Sequence, residues 1–415
     1  YDRPMVEQPI RRVAAALGLL LLLSPARGVA AEQGAAAEGD PTVILLSFDG
    51  VRHDYLDRGD LPALERIART GARARSLTPV FPASTFPSHV ALATGAHADR
   101  HGIVGNRFYD PEKGDFSYSN DASFIDAEPI WATAERQGVR SATFFWVGSE
   151  TDWNGFGASY RRAPFDAGIG EAEKVDQILA WLDLPTEERP RLILSWWHGA
   201  DASGHRHGPD SKRTTAVLRG QDRYLARLLE GLDERKAWSH TTLFVVSDHG
   251  MIGVTQGIDA MAPLKKARIR ARAIPGAAYA LIYLEDPSQR EAAVAALSAV
   301  EGVRAYPAAA VPEQLRFRHP TRTGDVVALT DPPRAFIKPW SQGAGLLRVS
   351  RLFGNEVGAH GYDPGAHPEM GAILLAVGRG VGAGVPPTDP GELEYAYEKS
   401  LKVLPSFATV APTGA

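Results

Sequence analysis

The sequence predicts an α/β fold in which a mostly parallel sheet is flanked by helices and a small α+β insertion interrupts the chain. Two observations carry this. Continuous apolar, β-rich runs recur along the chain, as expected for strands buried on both faces. The segments between several of them repeat apolar residues at helical spacing. Strands that alternate with helices form βαβ units around a parallel sheet.

The elements follow in order. Thr42–Phe48 (TVILLSF) is the first strand. Leu61, Leu64, Ile67 and Ala68 mark a helix, with Asp60 as its N-cap and Gly71 as its stop. Val139–Val147 reads as a strand, and Val175, Ile178, Leu179 and Leu182 as a helix. Arg191–Trp197 (RLILSWW) is a strand, and Val217, Leu218, Leu225, Leu228, Leu229 and Leu232 give a longer helix. Thr241–Ser247 and Ala372–Val377 complete the core strands. Between about Pro263 and Ile337 the pattern changes. Basic residues, Ala278–Leu284, a helix around Ser288–Val300 and Val303–Tyr306 suggest a small βαβ lobe inserted in the main domain.

Composition bounds the function. The 415 residues carry 45 Lys+Arg against 49 Asp+Glu, and a net charge of −4 argues against a nucleic-acid-binding surface. With no Cys, disulfides, thiolate metal sites and Cys nucleophiles are excluded. Arg11 and Arg12, the apolar run Val13–Leu23 and the small residues through Ala31 have the order of a secretory signal peptide. That run is shorter than the ~20 residues that span a bilayer, so no stable membrane insertion is expected. The expected organisation is a signal peptide (1–31), a linker (32–40), a catalytic domain (41–405, with the lobe at about 263–337) and a tail (406–415). The expected location is exported, periplasmic or secreted.

In an open parallel sheet, ligands bind beyond the carboxyl ends of the strands. Here Asp49-Gly50 follows the first strand, Asp201-Ala-Ser-Gly-His205 follows RLILSWW, and Asp248-His249-Gly250 follows TTLFVVS. His360-Gly-Tyr-Asp363 precedes the last strand. Carboxylate and imidazole are the ligands that suit Zn²⁺ when no Cys is available. A candidate nucleophile lies in Pro82-Ala-Ser-Thr85-Phe-Pro87-Ser-His89. Pro87 belongs in a first helical turn, so Thr85 or Ser84 stands at a helix N-terminus, where free N–H groups and the dipole favour an anion. Alone, a threonine there reads equally as a cap.

Together these residues resemble the nucleotide pyrophosphatase/phosphodiesterases of the alkaline phosphatase superfamily. The likeness rests on Ser47-Phe-Asp49-Gly50, Thr85-Phe-Pro-Ser-His89, His101-Gly-Ile-Val-Gly-Asn106, Asp201-x-x-Gly-His205-x-x-Gly-Pro209, Ser247-Asp248-His249-Gly250-Met251 and His360-Gly-Tyr-Asp363, in that order. The resemblance implies an alkaline-phosphatase-like core and two zinc ions per chain. One would be held by Asp201, His205 and His360, the other by Asp49, Asp248, His249 and the Thr85 oxygen. It further implies that Thr85 attacks phosphorus to form a phosphothreonine intermediate, that Asn106 binds a phosphoryl oxygen, and that Phe86 and Trp196 line the substrate pocket. The implied substrate is a small-molecule phosphodiester or nucleotide.

One departure widens the substrate class. Trp196-Trp-His-Gly-Ala200 stands where the family commonly has Tyr-x-Glu-x-Pro. Phospholipid-headgroup, phosphonate or phosphomonoester hydrolysis are therefore alternatives, and a catalytically silent zinc-binding scaffold is the alternative of another class. Of the other histidines, His53, His97, His101, His240, His319 and His367 read as surface or loop residues, His89 as packing in the nucleophile helix, and His198 and His207 as neighbours of the first metal.

Overall fold

In the computed structural model, residues 40–382 are described, apart from 59, 340, 342–344, 346 and 348–355. The expected signal peptide, the linker as far as residue 39, the end of the catalytic domain and the tail lie outside the described residues.

Strand Thr42–Phe48 is buried along nearly its whole length and occupies the middle of a seven-stranded sheet. Successive side chains of a strand point to opposite faces, so burial at every position means both faces are covered. The strand order is Ala72–Arg73, Leu374–Gly378, Thr241–Val246, Thr42–Phe48, Leu192–Trp197, Ser141–Phe144, Tyr160–Arg162. From Thr241–Val246 to Tyr160–Arg162 all pairings are parallel; Leu45, for example, lies opposite Leu194 and Phe244. Leu374–Gly378 runs antiparallel to Thr241–Val246. The mostly parallel sheet expected from the alternation is present, and this one reversal is a feature that local patterning does not encode.

Helix Pro62–Thr70 packs on helix Lys212–Glu234 and on strand Leu374–Gly378, and helix Glu171–Leu182 also packs on Lys212–Glu234. The expected cap, Asp60, is not used. Asp60 has a positive φ of 63°, and the Ala63 and Leu64 N–H groups instead donate to the Asp222 carboxylate at 3.0 and 2.9 Å. A buried carboxylate 158 residues away in sequence thus caps the helix. Asp222→Ala should lower stability by about 1–3 kcal/mol, because it leaves two helix N–H groups buried without an acceptor. Urea unfolding of the variant checks this. The helix does stop at Gly71, where an added Cβ would run into the Ala376 carbonyl of the neighbouring strand.

The inserted region holds a second, four-stranded sheet in the order Ala271–Pro275, Tyr279–Leu284, Val326–Thr330, Val303–Pro307, with every pairing antiparallel. Tyr279–Leu284 and Val303–Pro307 therefore run parallel, joined through helix Arg290–Ser298, with Val326–Thr330 between them. The anticipated βαβ unit is a split one. Its core includes Leu264, Ile282, Leu297, Val326 and Phe336. Among the described residues, no helix is long and apolar enough to cross a membrane.

Candidate active site

The three central strands deliver the acidic residues. Asp49 follows Thr42–Phe48, Asp248 and His249 follow Thr241–Val246, and helix Gly199–His207 after Leu192–Trp197 carries Asp201 and His205 one turn apart. Gly50 is indispensable to the first turn. Its φ is +70°, and a Cβ there would stand 2.9 Å from the Asp201 backbone. His360 arrives from strand Val357–Ala359, which pairs with Ile252–Val254 just beyond the Asp248-His249 turn. Helix Thr85–Thr94 brings Thr85 in as its first residue, with Ser84 in the cap position. Neither side chain caps the helix, so the Thr85 hydroxyl is free for other work.

Two groups that could hold a metal ion result: Asp201, His205 and His360, and Asp49, Asp248 and His249. In the first, His205 Nε2 and His360 Nε2 are 3.1 Å apart and stand 3.3 and 3.7 Å from Asp201 Oδ1. In the second, His249 Nε2 is 3.5 Å from Asp49 Oδ1, 3.2 Å from Asp248 Oδ2 and 3.4 Å from Thr85 Oγ1. The His249 and His360 rings stack at 3.8 Å, so the groups share a wall.

These atoms fit metal ions. Nδ1 of His205, His360 and His249 faces the carbonyls of Gly358, Ala83 and Gly250 at 2.8, 3.1 and 2.8 Å. A carbonyl only accepts, so each Nδ1 carries the proton and each Nε2 presents a lone pair inward. Asp49 Oδ1, Asp201 Oδ1 and Asp248 Oδ2 are buried without a hydrogen-bond partner. Lone pairs converging without a hydrogen to share call for a cation. Ligand atoms about 2.0–2.1 Å from a tetrahedral zinc stand roughly 3.3–3.5 Å apart, close to the spacings here.

The electrostatics agree. Burial pushes the Asp49 carboxyl well above its ordinary range, and the neighbouring Asp248 and Asp201 push it the same way. Burial also acts against the Asp248 carboxylate, yet His249, His89 and the Gly50 N–H hold it below the usual range. Burial, with His249 and His205 alongside, keeps His360 neutral.

Asn106 lies beside the helix start, its Oδ1 accepting the Phe86 N–H at 2.9 Å. The Phe86 ring meets Phe116 and the half-exposed Tyr118 edge to face at 5.7 and 5.5 Å. Trp196, expected to line the pocket, is only 7% exposed and its indole N–H donates to Asp49 Oδ2 at 2.8 Å. Phe165 stacks on its ring at 4.9 Å. The Trp196 indole thus orients the carboxylate of Asp49, a candidate metal ligand, and its ring is about as enclosed as that of Phe86, which is 3% exposed.

The other histidines divide. His89 is buried as expected, with Nδ1 2.8 Å from the Thr85 carbonyl and 3.3 Å from Asp248 Oδ2. His101, expected at the surface or in a loop, ends the short helix Ala98–His101 and is fully buried; burial pulls it down to about 3, and its neutral Nδ1 accepts the Ile103 N–H. His198 faces Lys174 and His207 faces Arg213. Lys174 is a residue the sequence reading missed. It is fully buried, donates to the Trp196 carbonyl at 2.9 Å, and burial brings its ammonium down to about 8. Its helical position next to Val175 was the available signal.

The family model for type I phosphodiesterase / nucleotide pyrophosphatase matches residues 43–363. An uncharacterized pyrophosphatase/phosphodiesterase of Schizosaccharomyces pombe is 33% identical over 352 residues, covering 81% of this chain and 71% of that protein. Venom phosphodiesterase of Naja atra is 30% identical over 81% of this chain and 41% of its own length. Human ectonucleotide pyrophosphatase/phosphodiesterase family member 1 is 34% identical over 55% of this chain and 25% of its own. The chain thus spans well under half of these two longer relatives. Among solved structures, murine ectonucleotide pyrophosphatase / phosphodiesterase 5, as an inactive threonine-to-alanine variant in complex with AMP, aligns with a TM-score of 0.78 at 27% identity. That alignment covers 91% of this chain and 97% of the murine one. The human counterpart aligns with a TM-score of 0.75 at 27% identity, covering 87% and 95%.

Proposed function

The chain belongs to the type I phosphodiesterase / nucleotide pyrophosphatase family, and on that premise we propose that it is a zinc-dependent hydrolase of phosphodiester or phosphoanhydride bonds that works through Thr85. The observation that carries this reading is the Thr85 hydroxyl, 3.4 Å from His249 Nε2, at the start of a helix beside two groups of convergent Asp and His ligands.

Asp201, His205 and His360 would hold one zinc ion, and Asp49, Asp248 and His249 the other. When bound, the ions supply Lewis-acid charge at the phosphoryl centre and lower the pKa of the oxygen nucleophiles. Thr85 Oγ1 gives its proton to solvent and forms a bond to phosphorus as the P–O bond to the leaving group breaks; the leaving oxygen departs as an anion or takes a proton from solvent, and the other ester group stays on the phosphothreonine. A water oxygen then attacks the same phosphorus, the Thr85–phosphorus bond breaks, and the hydroxyl regains its proton. The Asn106 amide nitrogen, whose Oδ1 accepts the Phe86 N–H beside Thr85, is the side-chain donor available to a phosphoryl oxygen. A well-placed donor of this kind contributes roughly 3–4 kcal/mol to the transition state.

Phe86 beside the nucleophile is an apolar wall suited to a second esterified group, whereas a dianionic monoester would call for a cation there. Phe86 and Trp196 are both nearly fully buried, so the exposed ring beside the nucleophile helix is that of Tyr118, which demands no nucleobase. The test is a rate comparison over bis(p-nitrophenyl) phosphate, the matching monoester, dinucleotides, nucleoside triphosphates and phosphocholine lipids. A preference for the bis-ester over the monoester is expected. Faster monoester turnover would overturn the substrate class and leave the metal groups standing. Export is the location that the Arg11–Ala31 pattern supports, and N-terminal sequencing of exported protein tests it.

A further inference from the structure

Asn106 lies on a loop between the short helix Ala98–His101 and strand Arg107–Asp110, and loops do not hold a side chain to a fraction of an ångström unaided. The Asn106 carbonyl accepts the Tyr118 N–H of the adjoining hairpin at 2.9 Å, and further hydrogen bonds to this segment come from the inserted lobe. Arg322 is 3% exposed and donates from Nη1 to the carbonyls of Gly102 and Phe124 at 2.9 and 2.7 Å. It also donates from Nε to Asp110 Oδ2 at 2.7 Å and from Nη2 to Asp126 Oδ1 at 3.1 Å. One guanidinium thus grips both ends of the 102–110 segment. Its own carbonyl accepts the Tyr283 hydroxyl at 2.7 Å, and the same hydroxyl accepts the Tyr109 N–H at 3.0 Å. The Tyr279 hydroxyl sits where a Cβ on Gly105 would be, one residue from Asn106.

We propose that the inserted lobe is the clamp that sets Asn106 against the phosphoryl group, with Arg322 as its positioning residue. A planar guanidinium whose donors are fixed to two carboxylates and two carbonyls tolerates little rotation. The loop between its grips can then present the Asn106 amide in one orientation, already paired with the Phe86 N–H. Arg322 touches neither substrate nor metal ligands; it acts through Asn106. The proposal rests on the reading of Asn106 as a phosphoryl-oxygen ligand.

The experiment is a double-mutant cycle with bis(p-nitrophenyl) phosphate, using Arg322→Lys, Asn106→Ala and the double variant, with zinc content and melting temperature measured for each. Asn106→Ala should lower kcat/KM about 100–1,000-fold. Arg322→Lys, which keeps the charge but not the fork, should lower it roughly 10–100-fold, chiefly in kcat, with zinc content unchanged. In the Asn106→Ala background the same change should cost less than about twofold, because its route is gone. Equal losses in both backgrounds would overturn the proposal and make Arg322 merely structural. If Asn106→Ala keeps wild-type rates, the underlying reading of the site fails, and the clamp with it. Should Arg322→Lys not fold, Tyr283→Phe removes only the hydroxyl bridge and runs through the same cycle with the same criteria.

Discussion

Thr85→Ala is expected to keep zinc and to lose about a thousandfold or more of kcat. The Asp and His ligands of both groups remain in the variant, and so do the helix N-terminus and Asn106. The variant lacks the oxygen 3.4 Å from His249 Nε2, together with the methyl group beside it. Thr85→Ser, which restores that oxygen, should recover appreciable activity. Steady-state kinetics with bis(p-nitrophenyl) phosphate, alongside elemental analysis of the same preparations, gives both readouts. Near-wild-type turnover in Thr85→Ala with zinc present would eliminate the nucleophile.

Removal of metal is expected to be as severe. Chelation should reduce activity at least a hundredfold or so, and added zinc should restore it, because the ions supply the charge that lowers the pKa of the threonine hydroxyl. Stability should follow. An ion that binds only the folded chain stabilises it by about 2.7 kcal/mol at a hundred times its Kd, so the melting temperature should rise on zinc addition. Affinity should fall as pH falls, since ligands must be deprotonated. Asp49 contributes to this dependence, its carboxyl being raised by burial and by Asp248 and Asp201. Metal analysis and thermal melts across the acidic range check both parts. A chelated protein that is fully active, with an unshifted melting temperature, would contradict the account.

Much of this molecule is legible in one dimension, and the exceptions share a cause. The buried parallel strands announce themselves as unbroken apolar runs, and the acidic turns after them announce the ligand edge, because both are local signals. The Asp49-Gly50 turn is a case where pattern and geometry coincide, since only glycine tolerates a +70° φ against the Asp201 backbone. What escaped the sequence depends on partners far along the chain. Asp60 has the right identity and position to cap its helix, yet Asp222 does so from another helix. The reversal of Leu374–Gly378, and the strand that splits the βαβ unit of the lobe, are matters of direction and order that no residue periodicity records. Trp196 shows the same limit at the site. The family resemblance implied a substrate wall there, and the register of strand Leu192–Trp197 against Thr42–Phe48 sets its indole on Asp49 and under Phe165. Lys174 and Arg322 were invisible for a related reason, because a charged residue on an amphipathic helix or a lobe loop reads as solvated until its burial is seen.

The central claim is that hydrolysis proceeds by two in-line displacements with Thr85 as the first nucleophile. The stereochemical course at phosphorus tests it most directly, and does so whether or not the intermediate accumulates. One diastereomer of a p-nitrophenyl nucleoside phosphorothioate, hydrolysed in heavy-oxygen water, reports that course. Two inversions predict overall retention of configuration. Overall inversion would mean that water attacks phosphorus directly, and would contradict the account.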